Sequence, residues 1–459
     1  MISGPASRTI SLFFERLLLP AGWVRNVRIT IEDGLMSAIE TDTVAGPGDE
    51  RHDCAMPGIP NLHSHAFQRG MAGLAERRGS AGDSFWTWRE LMYRFVERMT
   101  ADDVRAIATL AYIEMLECGF TRVGEFHYLH HDRGGTRFAD IAEMSSMIAA
   151  AAADSGIGLT LLPVLYCQAG FGAQPPRADQ ARFVLDVDGY ARLLEGADRA
   201  VAALPDGVVG AAPHSLRAVS PAQLKQLEQL ASGRPVHIHI AEQVREVEDC
   251  VAWSGQRPVE WLLDHADVDG RWCLVHATHM TDAEAVAMAR SGAVAGLCPI
   301  TEANLGDGLF QAEVFLGAGG RYGIGSDSNV LIDCAEELRL LEYGQRLARR
   351  ERNVMARGAG RSTGADILAA ALDGGAAALG VTAGLIVGAP ADIVSLKLSH
   401  PSLAGRDGDA ITDSYVFAAG SRVIDCVWRR GEKLVSDGVH RDRSRVTKHY
   451  RAALGKLIA

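Results

Sequence analysis

From about residue 56 to 384 the sequence switches repeatedly between two hydrophobic periods, and that alternation limits the possible folds more than any other feature of the chain. Apolar runs of strand length occur at 121–125, 158–165, 208–212, 236–241, 271–275, 293–297 and 322–325, and one more precedes His63. Helix start signals lie between several of them: Thr100 with Asp103, Ser220-Pro221 with Gln223, and Thr281 with Glu284. Gly119, Gly233 and Gly292 follow the corresponding helix ends. Eight strands alternating with helices predict an α/β fold with parallel strands and helical crossovers. A closed barrel and an open doubly wound sheet both satisfy the pattern. No Gly-x-Gly-x-x-Gly opens the series, which counts against the dinucleotide-binding form. With 459 residues and 47% hydrophobic content, the chain has room for a barrel of roughly 250–350 residues and a smaller second domain.

The two ends of the chain read differently. Residues 25–32 alternate like a half-buried strand, Asp33-Gly34 signals a tight turn, and 35–39 return. Residues 391–398 and 421–429 also read as strands, with a turn at Arg430-Gly431. The ends are therefore expected to pair into one small β domain, 1–55 with 385–459, around a central domain at 56–384.

The net charge of −11 argues against a nucleic-acid partner, which would call for a basic field. It leaves an anionic substrate open, because a few local arginines outweigh a diffuse distant charge. The eight cysteines are scattered without a Cys-x-x-Cys pair, as expected for free thiols in a reducing compartment. No run of about 18 apolar residues and no secretory pattern is present, so the expectation is a cytoplasmic protein without a membrane span.

Polar residues collect where the predicted strands end. His63 and His65 stand at i and i+2 at the end of the first strand, so both point to one face. His237 and His239 repeat the spacing on the fifth, where His237 reads equally well as an interior residue with its own partner. The sixth strand ends at His276 and the eighth leads into Gly325-Ser326-Asp327-Ser328. One His-x-His pair is weak evidence for a metal; histidines after strands one, five and six with an aspartate after strand eight form a constellation.

That constellation resembles the amidohydrolase superfamily over nearly the whole chain. The resemblance implies a (β/α)₈ TIM barrel with a small β-sandwich domain built from both termini, and one or two divalent metals at the barrel mouth. Members with two metals bridge them through a lysine at the end of strand four. Here Lys225, the first lysine of the chain, falls in the following helix, so one metal per chain is expected. Its ligands would be His63, His65, His239 and Asp327. Zinc suits that set, and iron or manganese can also occupy such sites. Mononuclear members are mostly deaminases, which implies catalytic roles for Asp327 as base, Glu242 as proton donor and His276 as a group that holds the substrate.

Longer stretches are similar to the formimidoylglutamate deiminases, a family of histidine-degradation enzymes. They are Asn61 to Gln68, Ser84-Phe85-Trp86-Thr87-Trp88-Arg89-Glu90-Leu91, Glu125 to Tyr128, His214 to Arg217, His237 to Gln243, and Thr301 to Gly308. The resemblance implies hydrolysis of N-formimidoyl-L-glutamate to N-formyl-L-glutamate and ammonia. Two carboxylates on that small anionic substrate call for guanidinium forks, and Arg89 and Arg217 are the candidates. Gln68, Tyr128 and His214 are further candidate substrate-binding residues. The aromatic run Phe85, Trp86 and Trp88 reads as the packing of a lid. Asn329 departs from the histidine expected there. Two other classes stay open: a guanine- or adenosine-type deaminase, which would need a base-stacking pocket and fewer arginines, and a non-enzymatic barrel scaffold, which would have lost metal ligands. Superfamily members are often homodimers, and the same is expected here.

Overall fold

All eight expected parallel strands are present in the computed structural model, which describes residues 9–78 and 85–458. Residues 1–8 of the expected terminal domain and Ser84 of the aromatic motif lie outside the described residues. The strands are Ile59–Ser64, Phe120–His127, Gly158–Leu165, a split fourth strand (Val208–Val209 and Ala212–Pro213), Val236–Ile240, Trp272–His276, Val294–Leu297 and Arg321–Ile324. Strands one to four form one parallel sheet and five to eight another. Parallel bridges Ala211↔Val236 and Ser215↔His239 link strand four to five, and Ser64↔Asp327 links the end of strand one to the residues after strand eight. Strands one, two, three, five and six are buried along their whole length. Burial on both faces explains why they read as near-continuous apolar runs.

The crossover helices begin where the capping signals place them. Thr100, Ser220 and Thr281 each form a reciprocal capping box with the third residue of their helix, which satisfies two otherwise unpaired N–H groups at each start. The lysine at position 225 sits exposed on the helix Pro221–Leu230, away from the strand ends.

The chain ends pair as expected, in one eight-stranded sheet. Its order runs Val439–His440, Glu432–Ser436, Ile424–Arg429, Ile393–Leu396, Glu50–Pro57, Ile10–Leu19, Gly22–Glu32, Leu35–Glu40. The N-terminal and C-terminal halves join where Glu50–Pro57 runs antiparallel to Ile393–Leu396. Both expected turns have two successive residues at positive φ, Asp33 and Gly34 (51° and 83°) and Arg430 and Gly431 (49° and 71°). That conformation matches the twist of the strands it connects. Leu12, Phe14, Ile29, Ile31, Ile393 and Trp428 share a core separate from that of the parallel strands. A final helix, Arg443–Ile458, does not join this sheet. Val446 packs with Leu110 and Ile113 of the helix Ala101–Glu117, and Arg443 pairs with Glu117 at 2.9 Å.

An ion network fastens the terminal sheet to the parallel strands. Arg429 donates to Asp392 at 2.8 Å and also to Asp206, which Arg122 of the second strand meets at 2.6 Å. The side chains of Arg429 and Arg122 are 4% and 6% exposed, so removing one partner strands the others in a poorly solvated place. Arg429→Met is expected to lower unfolding free energy by about 3–5 kcal/mol, measured by urea denaturation. A change within about 0.5 kcal/mol, the range of ordinary surface substitutions, would show that the network is solvated and does not fasten the sheet.

Candidate active site

The ends of the first and eighth strands are tied backbone to backbone. Asp327 N–H donates to the His63 carbonyl (3.0 Å) and His65 N–H to the Asp327 carbonyl (2.9 Å). Gly325 makes this approach possible: a Cβ there would lie 2.8 Å from the His63 carbonyl oxygen and 2.9 Å from its Cβ. Side chains continue the seam. Asn61 Nδ2 donates to Ser326 Oγ (2.7 Å), Ser326 Oγ to Asn329 Oδ1 (2.6 Å), and Asn329 Nδ2 to Ser64 Oγ (3.1 Å) and the Asp327 carbonyl (2.9 Å). The departure at position 329 thus has a structural account: the amide offers a donor and an acceptor to a fully buried knot. Ala241, His276 and Asp327 adopt positive φ (51°, 68° and 44°) where strands five, six and eight give way to loops. Such backbone is strained for residues other than glycine and re-aims side chains at a site.

Three of the four candidate ligands are histidines whose Nε2 atoms converge. His63 and His65 are 3.2 Å apart, His65 and His239 3.3 Å, and His239 and His63 3.1 Å. Asp327 Oδ1 lies 3.3 Å from His65 Nε2 and 3.5 Å from His63 Nε2. The opposite ring nitrogens of two of them are committed, His65 Nδ1–H to the Phe126 carbonyl (2.8 Å) and His239 Nδ1–H to that of His214 (3.0 Å). Their Nε2 lone pairs therefore face the cluster. Burial, and then the neighbouring imidazoles, push His63 and His239 well below the usual histidine range, so these rings are neutral. Converging lone pairs around a carboxylate suit a divalent cation. A tetrahedral site with metal–nitrogen bonds of about 2.0–2.1 Å spaces its ligands by about 3.3 Å, which matches the separations here. His276, Cys298 and Asp327 form a second, overlapping group with donor atoms close together. His237 points elsewhere and bonds the Ala378 carbonyl at 2.8 Å, the interior role that its position allowed.

The cluster opens into a cleft. Every site residue expected from the sequence lines it except His63, which lies beneath in the cluster: Gln68, Arg89, Tyr128, His214, Arg217, Glu242 and His276 surround His65, His239 and Asp327. Gln68 donates to the Tyr128 hydroxyl at 2.9 Å. Arg89 comes from the helix Phe85–Val96, whose Phe85 and Trp88 also face the cleft. Arg89, Arg217 and Arg245 gather around the Trp86 ring at 4.5, 5.8 and 5.0 Å. The Nε atoms of Arg89 and Arg217 are buried with no hydrogen-bond partner. Glu242 is buried, which pushes its carboxyl up from the usual range. Burial alone would lower His276, but Glu242, Glu302 and Asp327 outweigh it and raise the pKa of the ring to about 10.

Some groups at the site were not singled out from the sequence. Tyr93 and Tyr166 line the cleft, Glu302 meets His276 Nδ1 at 3.3 Å, and Asp307 accepts a bond from Gln243. Only the motif Thr301 to Gly308 hinted at the last two. The eight cysteines are all free. No helix among the described residues is long and apolar enough to cross a membrane.

With this geometry in view, comparison with known proteins is direct. Residues 54–434 match the model of the amidohydrolase family, and the chain belongs to that family. Residues 11–53 match the N-terminal domain of formimidoylglutamate deiminase HutF. The chain is 52% identical to the formimidoylglutamate deiminase of Pseudomonas aeruginosa, over 98% of this chain and 99% of that one. Among solved structures, it resembles an amidohydrolase from Brucella melitensis with a TM-score of 0.95 and 53% identity, covering 98% of this chain and 100% of that one. An adenosine deaminase from Xanthomonas campestris with bound zinc shares the fold at a TM-score of 0.80 and 23% identity, covering 98% of each chain.

The converging imidazoles lead to a stoichiometric expectation. Elemental analysis of the purified protein should find about one divalent metal per chain, and Asp327→Ala or His63→Ala should remove it. Two metals per chain would mean that the group containing His276 and Cys298 also binds one.

Proposed function

We propose that the chain hydrolyses the C=N bond of N-formimidoyl-L-glutamate, giving N-formyl-L-glutamate and ammonia in histidine degradation. The observation that carries this reading is the pair of guanidiniums, Arg89 and Arg217, with unpartnered Nε atoms in the cleft beside the histidine–aspartate cluster. Two guanidiniums with unpartnered buried Nε atoms suit a ligand with two carboxylates, and the formimidoylglutamate deiminase of Pseudomonas aeruginosa is a relative at 52% identity.

The domain organisation proposed with it is a (β/α)₈ barrel at 56–384 and a β-sandwich from 1–55 with 385–459. The bridges between strands four and five, and between the ends of one and eight, support closure of the ring. The shared core of the terminal strands supports the sandwich.

In this reading His63, His65, His239 and Asp327 hold the metal, most simply zinc. When bound, the metal supplies Lewis acidity that makes water nucleophilic near neutral pH. Arg217 and Arg89 anchor the carboxylates and set the amidine carbon above the cluster. Gln68, Tyr128 and His214 fix its orientation. Asp327 takes a proton from the attacking water, whose oxygen bonds to the amidine carbon. Glu242, whose carboxyl burial pushes up to about 7, protonates the terminal nitrogen, and His276 hydrogen-bonds the reacting centre. The C–N bond to that nitrogen then breaks. Asp327 passes its proton to the same nitrogen, which leaves as ammonia, and Glu242 recovers a proton from the adduct hydroxyl as its oxygen becomes the formyl carbonyl.

Two substitutions test these roles. Glu242→Gln should keep its metal and lose about 10²–10⁴-fold in kcat; turnover within about threefold of the parent would make Glu242 structural. Arg217→Met should lower kcat/KM for N-formimidoyl-L-glutamate by about 10²-fold, from one lost charge-assisted bond and a poorly paired carboxylate. A neutral formamidine without carboxylates should be indifferent to it. Equal loss on both substrates would overturn the carboxylate role.

A further inference from the structure

The residues after the seventh strand hold none of the roles assigned above, yet their side chains run to the groups that do. Glu302 lies on the short helix Pro299–Leu305 and is 6% exposed. Its Oε1 accepts from Cys298 N–H at 2.9 Å and lies 3.3 Å from His276 Nδ1. The opposite ring nitrogen, His276 Nε2, faces Asp327 Oδ2 at 3.7 Å. Thr301 Oγ1 accepts from Ser328 N–H at 3.2 Å, next to Asp327. Asp307 accepts from the Gln243 amide, next to Glu242. The segment is itself anchored, because Ile300 N–H donates to the fully buried Glu337 at 2.9 Å.

A ring whose Nδ1–H is held by a carboxylate has its tilt fixed, and its Nε2 is left to face the reaction. His276 needs such a hold, since its backbone lies in the strained left-handed region at the strand end. Among the described residues, Glu302 is the hydrogen-bond partner of its Nδ1.

We propose that Glu302 is a positioning residue for catalysis: it holds the Nδ1–H of His276 and so aims Nε2 at the reacting centre. Bonding to Cys298 N–H alone would be a purely local cap. The bond to His276 makes the segment after the seventh strand, which supplies none of the four proposed metal ligands, a support for the substrate-holding histidine of the sixth. The kinetic part of this inference rests on the deiminase reading above; the ring geometry does not.

The test compares Glu302→Gln, which keeps an acceptor, and Glu302→Met, which fills the space without one, in the metal-loaded protein. Ring ¹⁵N signals of His276, assigned by their loss in His276→Asn, are read beside kinetics and metal content. The parent should show a protonated Nδ1. Glu302→Met should shift that signal and lower kcat about 10–100-fold, with KM and metal content unchanged, and Glu302→Gln should recover most of the loss. Unchanged His276 signals in Glu302→Met, or kcat within about threefold of the parent, would overturn the proposal, as would a loss carried by metal content. If Glu302→Met does not fold, Glu302→Ala takes its place with the same readouts: a shifted Nδ1 signal with a lowered kcat supports the proposal, and an unchanged signal or an unchanged kcat refutes it. If the parent itself fails to turn over N-formimidoyl-L-glutamate, the deiminase reading falls, while the ring signals still report on Glu302.

Discussion

The seam between the ends of the first and eighth parallel strands is the constraint on which the site depends. Two backbone hydrogen bonds fix Asp327 against His63 and His65, and they form only because Gly325 leaves room for the His63 backbone. These residues lie more than 260 positions apart in the chain, so no local preference could bring them together. The buried knot of Asn61, Ser64, Ser326 and Asn329 then satisfies the polar groups that the seam encloses. Unpaired buried polar groups cost about 1–3 kcal/mol each, so the knot favours one arrangement of the seam over slipped alternatives.

What the sequence made legible follows from how far each signal reaches. The i, i+2 spacing of His63 and His65 is a property of one strand, and the strand supplies the common face by itself. Capping boxes at Thr100, Ser220 and Thr281 are likewise local, and all three form as read. The hairpin turns at Asp33-Gly34 and Arg430-Gly431 belong to the same class. Glu302 and Asp307 were visible only as members of a motif, because their meaning lies in partners on other strands. Asn329 looked like a departure until Ser64 and Ser326, from different strands, were seen to meet it. The final helix carries no signal of its destination, since its apolar positions match a helix of the central domain as readily as a sheet.

The electrostatics of the cleft run against those of the whole chain. A net charge of −11 surrounds a site that gathers Arg89, Arg217 and Arg245 about one indole ring. Arg245 is exposed and pairs with Asp249, whereas Arg89 and Arg217 line the cleft, where a ring face and an anionic ligand offset their repulsion. A neutral purine such as guanine offers these guanidiniums no carboxylate. The carboxylates Glu246 and Glu242 offset the burial of Arg217.

The central claim is that the metal-site cluster and the guanidiniums act together on one bond of one substrate. The most direct measurement incubates the metal-loaded protein with N-formimidoyl-L-glutamate, and in parallel with guanine and 5′-methylthioadenosine, and identifies products by NMR. One ammonia and one N-formyl-L-glutamate per substrate consumed, with the purines left intact, is the predicted result. Formamide with free L-glutamate would mean that the other C–N bond is cut, and faster release of ammonia from a purine would mean that the guanidiniums serve a different ligand; either result contradicts the account.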